Sequence, residues 1–200
     1  MTYSDFTLDT VLETFQVTLS QEELFSDVPS LDVPSLLQEI LDEGLSLAYI
    51  SEKARSEIII MPILLTVRKH FLRAFSIYSG QRFDVEPASG LSGECDFILS
   101  LSPPLPIIQS PVVMLVEAKK QDIEAGLGQC AAQMVAAHRF NQKKGTPITL
   151  IYGCVTTGED WQFLNLEHEV LTIDSNRYYV NDPGTILGVL QAIVSHYIRE

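Results

Sequence analysis

The sequence is short of the features that announce a compartment or a redox cofactor. Its three cysteines, Cys95, Cys130 and Cys154, lie far apart and form no C-x-x-C pair. That argues against a structural zinc site and against a disulfide framework, and makes a reducing cytoplasm the expected home. Apolar runs are short. The longest, IIIMPILLTV over 58–67, stops at ten residues with charges close on both sides, too few to cross a bilayer as a helix. No basic segment leading into an apolar stretch opens the chain, so no secretory signal is expected. No GxxxxGK[ST] run is present, which excludes that type of phosphate loop. The four histidines, His70, His138, His168 and His196, show no ligand spacing.

Positive charge is scarce as well. Lys and Arg number 13 against 26 Asp and Glu, a net charge of −13. Such a balance speaks against a nucleic-acid partner, but the distribution of charge weakens that objection. Residues 1–50 hold ten acids and no Lys or Arg, whereas 51–200 hold sixteen acids and thirteen bases. The acidity therefore sits mostly in the first fifty residues. Carboxylates that hold Mg²⁺ also lower the sum without repelling a phosphate bridged through the metal.

What is present suits one α/β domain. Hydrophobic residues make up 46% and charged residues 20% of the chain, enough for a sizeable core. Residues 1–50 read as an acidic helical extension available for protein contact. Leu8, Val11, Leu12 and Phe15 have helical spacing, SDVPSLDVPS over 26–35 is a loop with two Val-Pro pairs, and Ser35 opens a helix to about Leu47. Residues 51–200 read as the α/β domain itself. A long helix over 51–76 is interrupted or kinked at Pro62, and YSGQRFDVEPASGLSGE then reads as a turn region.

Two strands follow, ECDFILSLS (94–102) and PVVMLVEAK (111–119), joined by a proline-rich connection that cannot enter a sheet ladder. A helix from about Asp122 to Phe140 repeats Ile123, Leu127, Cys130, Met134 and Ala137 at helical spacing. TPITLIYGCVTT reads as a central strand, WQFLNLE, EVLTID and RYYV as shorter ones, and ILGVLQAIVSHYI as a closing helix. The order is that of an α/β fold with a mixed sheet.

VVMLVEAKK, residues 112–120, raises the functional question, because an apolar strand here ends in an acid and a base two residues apart. Residues two apart share a strand face, so Val113, Leu115, Glu117 and Lys119 should line one side. If the preceding strand pairs antiparallel, its Asp96 arrives beside Glu117 and Lys119. Two carboxylates are hard oxygen ligands suited to Mg²⁺, and a neighbouring lysine can serve an attacking water. Hydrolysis of a phosphodiester is the reaction class that suits this set. An exposed strand end also carries Glu-x-Lys for no reason beyond solubility; Asp96 on the adjacent strand, the order of the helices and Glu57 on the preceding helix together favour a site.

At these residues the sequence resembles the PD-(D/E)xK nuclease superfamily, in Asp96 of GECDF and in Glu117-Ala118-Lys119 after an apolar strand. The resemblance implies a restriction-endonuclease-like fold, with a mixed central sheet flanked by helices. It also implies a Mg²⁺ (or Mn²⁺) cofactor on Asp96 and Glu117, Lys119 serving the water, and a nucleic-acid substrate, DNA before RNA. The family's helical glutamate resembles Glu57, which as a first-turn residue also serves the helix dipole. Members related to RecB carry a glutamine on the helix after the lysine strand. Gln129 and Gln133 are both candidates for it; both also suit the surface flanking the apolar stripe, Gln133 more than Gln129. Cys95 stands where the family often has proline, and neither glutamine is followed by tyrosine four residues on.

Over about residues 50–195 the chain also resembles a family of cyanobacterial proteins sharing SGECDFILS, VEAKKxDIExGLGQC and IYGCVTTGEDWQFL, a likeness that carries no activity with it. The competing expectation is a catalytically silent binding or regulatory protein on the same fold. A homodimer is implied only by analogy with enzymes that cut both strands. Arg68, Lys69 and Arg73 form a small basic face expected near this site, read as a solvated helix face ahead of a contact for backbone phosphates. Glu159-Asp160 reads as a hairpin turn without chemistry.

Overall fold

The computed structural model describes residues 1–48 and 50–198. Among these residues eight strands form one open, mixed sheet: β1 (Thr18–Glu22), β2 (Ser76–Arg82), β3 (Glu94–Ser100), β4 (Val112–Ala118), β5 (Leu150–Thr156), β6 (Asp160–Glu167), β7 (Val170–Asp174) and β8 (Tyr178–Tyr179). The spatial order is β1-β7-β6-β5-β4-β3-β2, with β8 paired to β6. Six α-helices accompany it among the described residues: α1 (Leu8–Phe15), α2 (Ser35–Ala48), α3 (Glu52–Arg55), α4 (Met61–His70), α5 (Glu124–Lys143) and α6 (Pro183–Tyr197). Helices α1 and α5 cover one face over a core that includes Phe6, Val11, Ile98, Leu115 and Met134. Helices α2, α4 and α6 cover the other over Leu41, Ile63, Phe97, Trp161 and Leu190. Among the described residues no helix is long and apolar enough to cross a membrane.

Strand β4 is central, and all seven of its residues are buried. It runs antiparallel to β3 and parallel to β5, the β4–β5 connection being made by α5 as parallel pairing requires. Burial from both faces explains the unbroken apolar run VVMLV and makes Glu117, the one charge in the strand, conspicuous. Asn141 of α5, itself buried, pins the start of β4. It accepts from the Val112 N–H at 2.8 Å and donates to the Val112 carbonyl at 2.7 Å.

Three expectations are corrected. The first fifty residues are not a helical appendage. Strand β1 pairs in parallel with β7 from Thr18↔Val170 to Glu22↔Asp174, and Tyr3, Phe6, Val11, Leu37 and Leu41 are core residues. All ten acids of the segment remain exposed, so the acidity lies on its outer surface while its apolar residues brace the sheet. The region after the long helix is not all turn: Ser76–Arg82 forms the edge strand β2, antiparallel to β3. Val113 lies in the opposite core from Leu115, because the β3–β4 register shifts at Leu99/Ser100.

The long helix is real but stops at His70 and passes through a π turn at Ser56–Ile60. The Met61 N–H bonds to the Ser56 carbonyl, and Pro62, which has no N–H to give, enters the first turn of α4. The cysteines Cys95, Cys130 and Cys154 are all buried thiols.

Gly128 shows how closely the N-terminal segment docks on α5. A Cβ there would lie 2.5 Å from the Phe6 carbonyl oxygen and 2.6 Å from the Leu8 nitrogen. Alanine in a helix interior is normally worth about 1 kcal/mol over glycine, but a backbone clash of this size costs about 1–3 kcal/mol. Gly128→Ala is therefore expected to destabilise the protein, with a lower denaturant midpoint than wild type.

Candidate active site

The site forms where β3 and β4 separate. The last backbone pair on this side is Phe97↔Val116. One step further the backbone ladder gives way to a side chain, and the Ala118 N–H donates to Asp96 Oδ2 at 2.7 Å. This places the Asp96 carboxylate against the end of β4, as antiparallel pairing of the two strands requires. Glu117 is 2% exposed. Lys119 Nζ donates to Glu117 Oε1 at 2.7 Å and to Gln129 Oε1 at 2.8 Å. Gln133 Nε2 donates to Glu117 Oε2 at 2.8 Å. Gln129 and Gln133 are four apart on α5 and so share a helix face.

Gln133 is corrected from a surface residue to a fully buried one. Its sequence signal was its place one turn beyond Gln129 amid the Ala- and Cys-lined face of α5. Its Oε1 is buried and bonds to none of the described residues. Gly126 lets α5 approach: a Cβ there would lie 2.5 Å from Val155 Cγ1 and 3.0 Å from Lys119 Cγ. Arg55, also buried, ties the chain just beyond the site to α3, its Nη1 donating to the Lys120 carbonyl at 2.6 Å. Sequence reasoning passed over Arg55, since a lone arginine near a helix start carries no signal of its partner.

Asp96 opens onto a cleft of about 360 Å³ on the α3 side, whose wall also carries Glu52, Glu57 and Glu94, with Lys53 as the lining base. Glu57 thus shares the cleft with Asp96, but its side chain is 64% exposed and faces Lys53 Nζ at 3.8 Å. It stands at the rim, apart from the Asp96–Glu117 pair. Arg68, Lys69 and Arg73, the expected basic face, lie at the far end of α4 from this cleft. Glu159 and Asp160 sit at the β5–β6 hairpin, as their turn reading implied.

Burial pushes the Glu117 carboxyl up to about 7; the nearby Asp96 carboxylate adds to the rise, and Lys119 and Gln133 oppose it. Asp96 is also raised, chiefly by burial, against the pull of the Ala118 N–H. In the donor set, carboxylate oxygens fit Mg²⁺ in kind, since that ion takes one or two carboxylates and keeps several waters. Among the described residues no three acidic, imidazole or thiol groups gather closely enough to cage a metal by themselves. Asp96 and Glu117 are the carboxylates that meet at this strand end, and Glu57 lines the same cleft as Asp96. No protein-family model matches the sequence, and no curated protein matches it significantly.

The raised carboxyl sets a pH dependence for the metal-free protein. Glu117 titrates near 4.5 in the unfolded chain and near 7 in the folded one, so between these values the folded state binds more protons. Its contribution to stability is therefore greatest below pH 4.5 and falls as pH rises through 7, by on the order of 3 kcal/mol at 1.36 kcal/mol per unit. Glu117→Gln is expected to flatten this slope, read as the difference between the two proteins' unfolding free energies at pH 5 and pH 8.

Proposed function

We propose that this chain is a Mg²⁺- or Mn²⁺-dependent nuclease of the restriction-endonuclease-like kind, hydrolysing phosphodiester bonds in DNA. The observation that carries the reading is the junction of Asp96, Glu117 and Lys119 at one end of β3 and β4, with Lys119 and Glu117 held by two glutamines of α5. The resemblance of these residues to the PD-(D/E)xK pattern supports it. The cytoplasm, where the three thiols stay reduced, is the compartment that suits it.

The roles follow from the contacts. Asp96 and Glu117 would hold the metal, with Glu57 at the rim of the same cleft. When bound, the ion supplies Lewis-acid polarisation of a phosphoryl oxygen and neutralises charge building on the phosphorus. An ammonium has three N–H donors, and Lys119 gives two, to Glu117 and Gln129. The third is left for the attacking water or a phosphate oxygen. Gln129 holds Nζ in place whether or not Glu117 turns to another partner, and Gln133 keeps the Glu117 carboxylate from rotating into the core. Water attacks phosphorus and gives up a proton to solvent, the bond from phosphorus to the leaving ester oxygen breaks, and that oxygen takes a proton from solvent to depart as a hydroxyl. Two-strand cutting would require two copies of the site, hence a dimer.

One observation favours the alternative, a silent binding or regulatory protein. Both oxygens of Glu117 are already engaged by Lys119 and Gln133, an arrangement that is complete without a metal. A cleavage assay separates the two. On single-stranded, linear duplex and supercoiled DNA with Mg²⁺ or Mn²⁺, the nuclease reading expects metal-dependent cutting that Lys119→Ala and Glu117→Ala each reduce by about 10²-fold or more. Folded wild-type protein that cuts neither DNA nor RNA would sink it.

A further inference from the structure

Between Glu57 and Asp84 the chain carries no acid, although acids outnumber bases two to one overall. The stretch holds four bases. Arg82 pairs with Asp84 at 2.7 Å. The other three, Arg68, Lys69 and Arg73, fall with His70 into six residues where α4 ends and before β2 begins. None of these three is in an ion pair among the described residues. Arg68 Nε donates to the Phe75 carbonyl at 2.6 Å and folds the turn against the helix end. Lys69, His70 and Arg73 are exposed, and Asp32 lines the neighbouring groove beside Lys69 and His70.

The backbone of this corner is strained. Leu72 and Arg73 have φ of 49° and 66°, the left-handed region that costs a non-glycine residue roughly 1–2 kcal/mol. The strain holds Leu72 outward, 91% exposed, between the cationic side chains. Among the described residues Leu72 belongs to neither hydrophobic core.

The corner and the cleft share two elements. Glu57 lines the cleft near the start of the helical run, and His70 ends the run thirteen residues later, about 20 Å away at 1.5 Å per residue. On the sheet, Gly80 of β2 lines the cleft and Ser76 follows the corner. The cleft is walled by acids and repels an anionic strand, so a polyanionic substrate needs a grip elsewhere. A separation of about 20 Å is more than two Debye lengths at physiological salt, so the corner's positive charge is screened from those acids. One strand of a duplex advances about 3.4 Å per nucleotide, which sets the two points about six nucleotides apart.

We propose that the α4–β2 corner is an anchor for the phosphate backbone of a nucleic-acid strand whose scissile bond lies at the cleft, a step that rests on the nuclease reading. Lys69 and Arg73 neutralise phosphates, and Leu72 contacts a sugar or base edge. A membrane surface is a poorer fit, since one exposed leucine buries little apolar area.

The test is binding of a fluorescent duplex of about 24 base pairs, and of one of its single strands, to the full chain without divalent metal, across a range of salt. The variant pair is Lys69→Gln with Arg73→Asn, because asparagine tolerates the left-handed backbone. An unchanged melting temperature would show that the variant folds. The expected result is a salt slope lower by about 2, and affinity weaker by about tenfold or more, than wild type. Equal affinity and slope in variant and wild type, or wild type that binds neither probe, would overturn the anchor. So would polyglutamate competing as well as unlabelled duplex, which would assign the corner to an acidic protein segment.

Cleavage outcomes separate this idea from the one beneath it. Metal-dependent cutting that needs Lys119 but ignores the corner variant keeps the nuclease and discards the anchor. Corner-dependent, salt-sensitive binding with no cutting keeps the anchor and discards the nuclease.

Discussion

A carboxylate buried at the end of the central strand is the constraint around which the rest of the molecule is arranged. An ionised group taken out of water costs several kcal/mol unless charge and hydrogen bonds answer it. Glu117 is answered from two sides, by Lys119 two residues on and by Gln133 from the covering helix. The second contact forms only when α5 lies close over the strand end, and Gln129 of the same helix holds Lys119 in the first. Gly126 permits that approach at one end of the helix, and Asn141 fixes its other end on Val112. The Glu117 carboxyl stays raised even so, because burial and the nearby Asp96 carboxylate outweigh these partners.

The second carboxylate is exposed by the failure of a ladder. Asp96 accepts the Ala118 N–H, which in a continued sheet would have gone to backbone. The strands part there, and their separation opens the cleft toward α3. The start of the helical run, Glu52 to Glu57, forms one wall of it, and the π turn that follows leads into Pro62, which has no N–H to place. The N-terminal segment supports the same arrangement from outside. Its apolar residues cover α5 and extend the sheet at β1, while its acids stay in solvent.

These parts differ in how plainly the sequence shows them. The apolar run of β4, the helical spacing of α5 and the closing helix were legible because each is a long element whose pattern is set by burial. So was the approach of Asp96 to Glu117, which needed only an antiparallel pair. Strands β1 and β2 were not legible. TLSQE and SIYSGQR are edge strands, largely exposed, held by backbone hydrogen bonds on one side, and a backbone bond leaves no alternation in the side chains. The N-terminal fifty residues were misread for a related reason. Their charge is conspicuous in composition, but the few apolar residues that dock them, Tyr3, Phe6 and Val11, are spaced for contact with a distant helix.

Strand periodicity and chain order are enough to establish that an acid and a base end a buried strand, and that another acid begins its neighbour. Which helix residues serve them is a matter of packing. Gln133 rather than Glu57 reaches Glu117 because α5 crosses directly over β4, whereas the π turn leaves Glu57 at the cleft rim beside Lys53. Contacts of this kind depend on how far two packed elements approach, here set by a glycine, and no local pattern records a distance across the core.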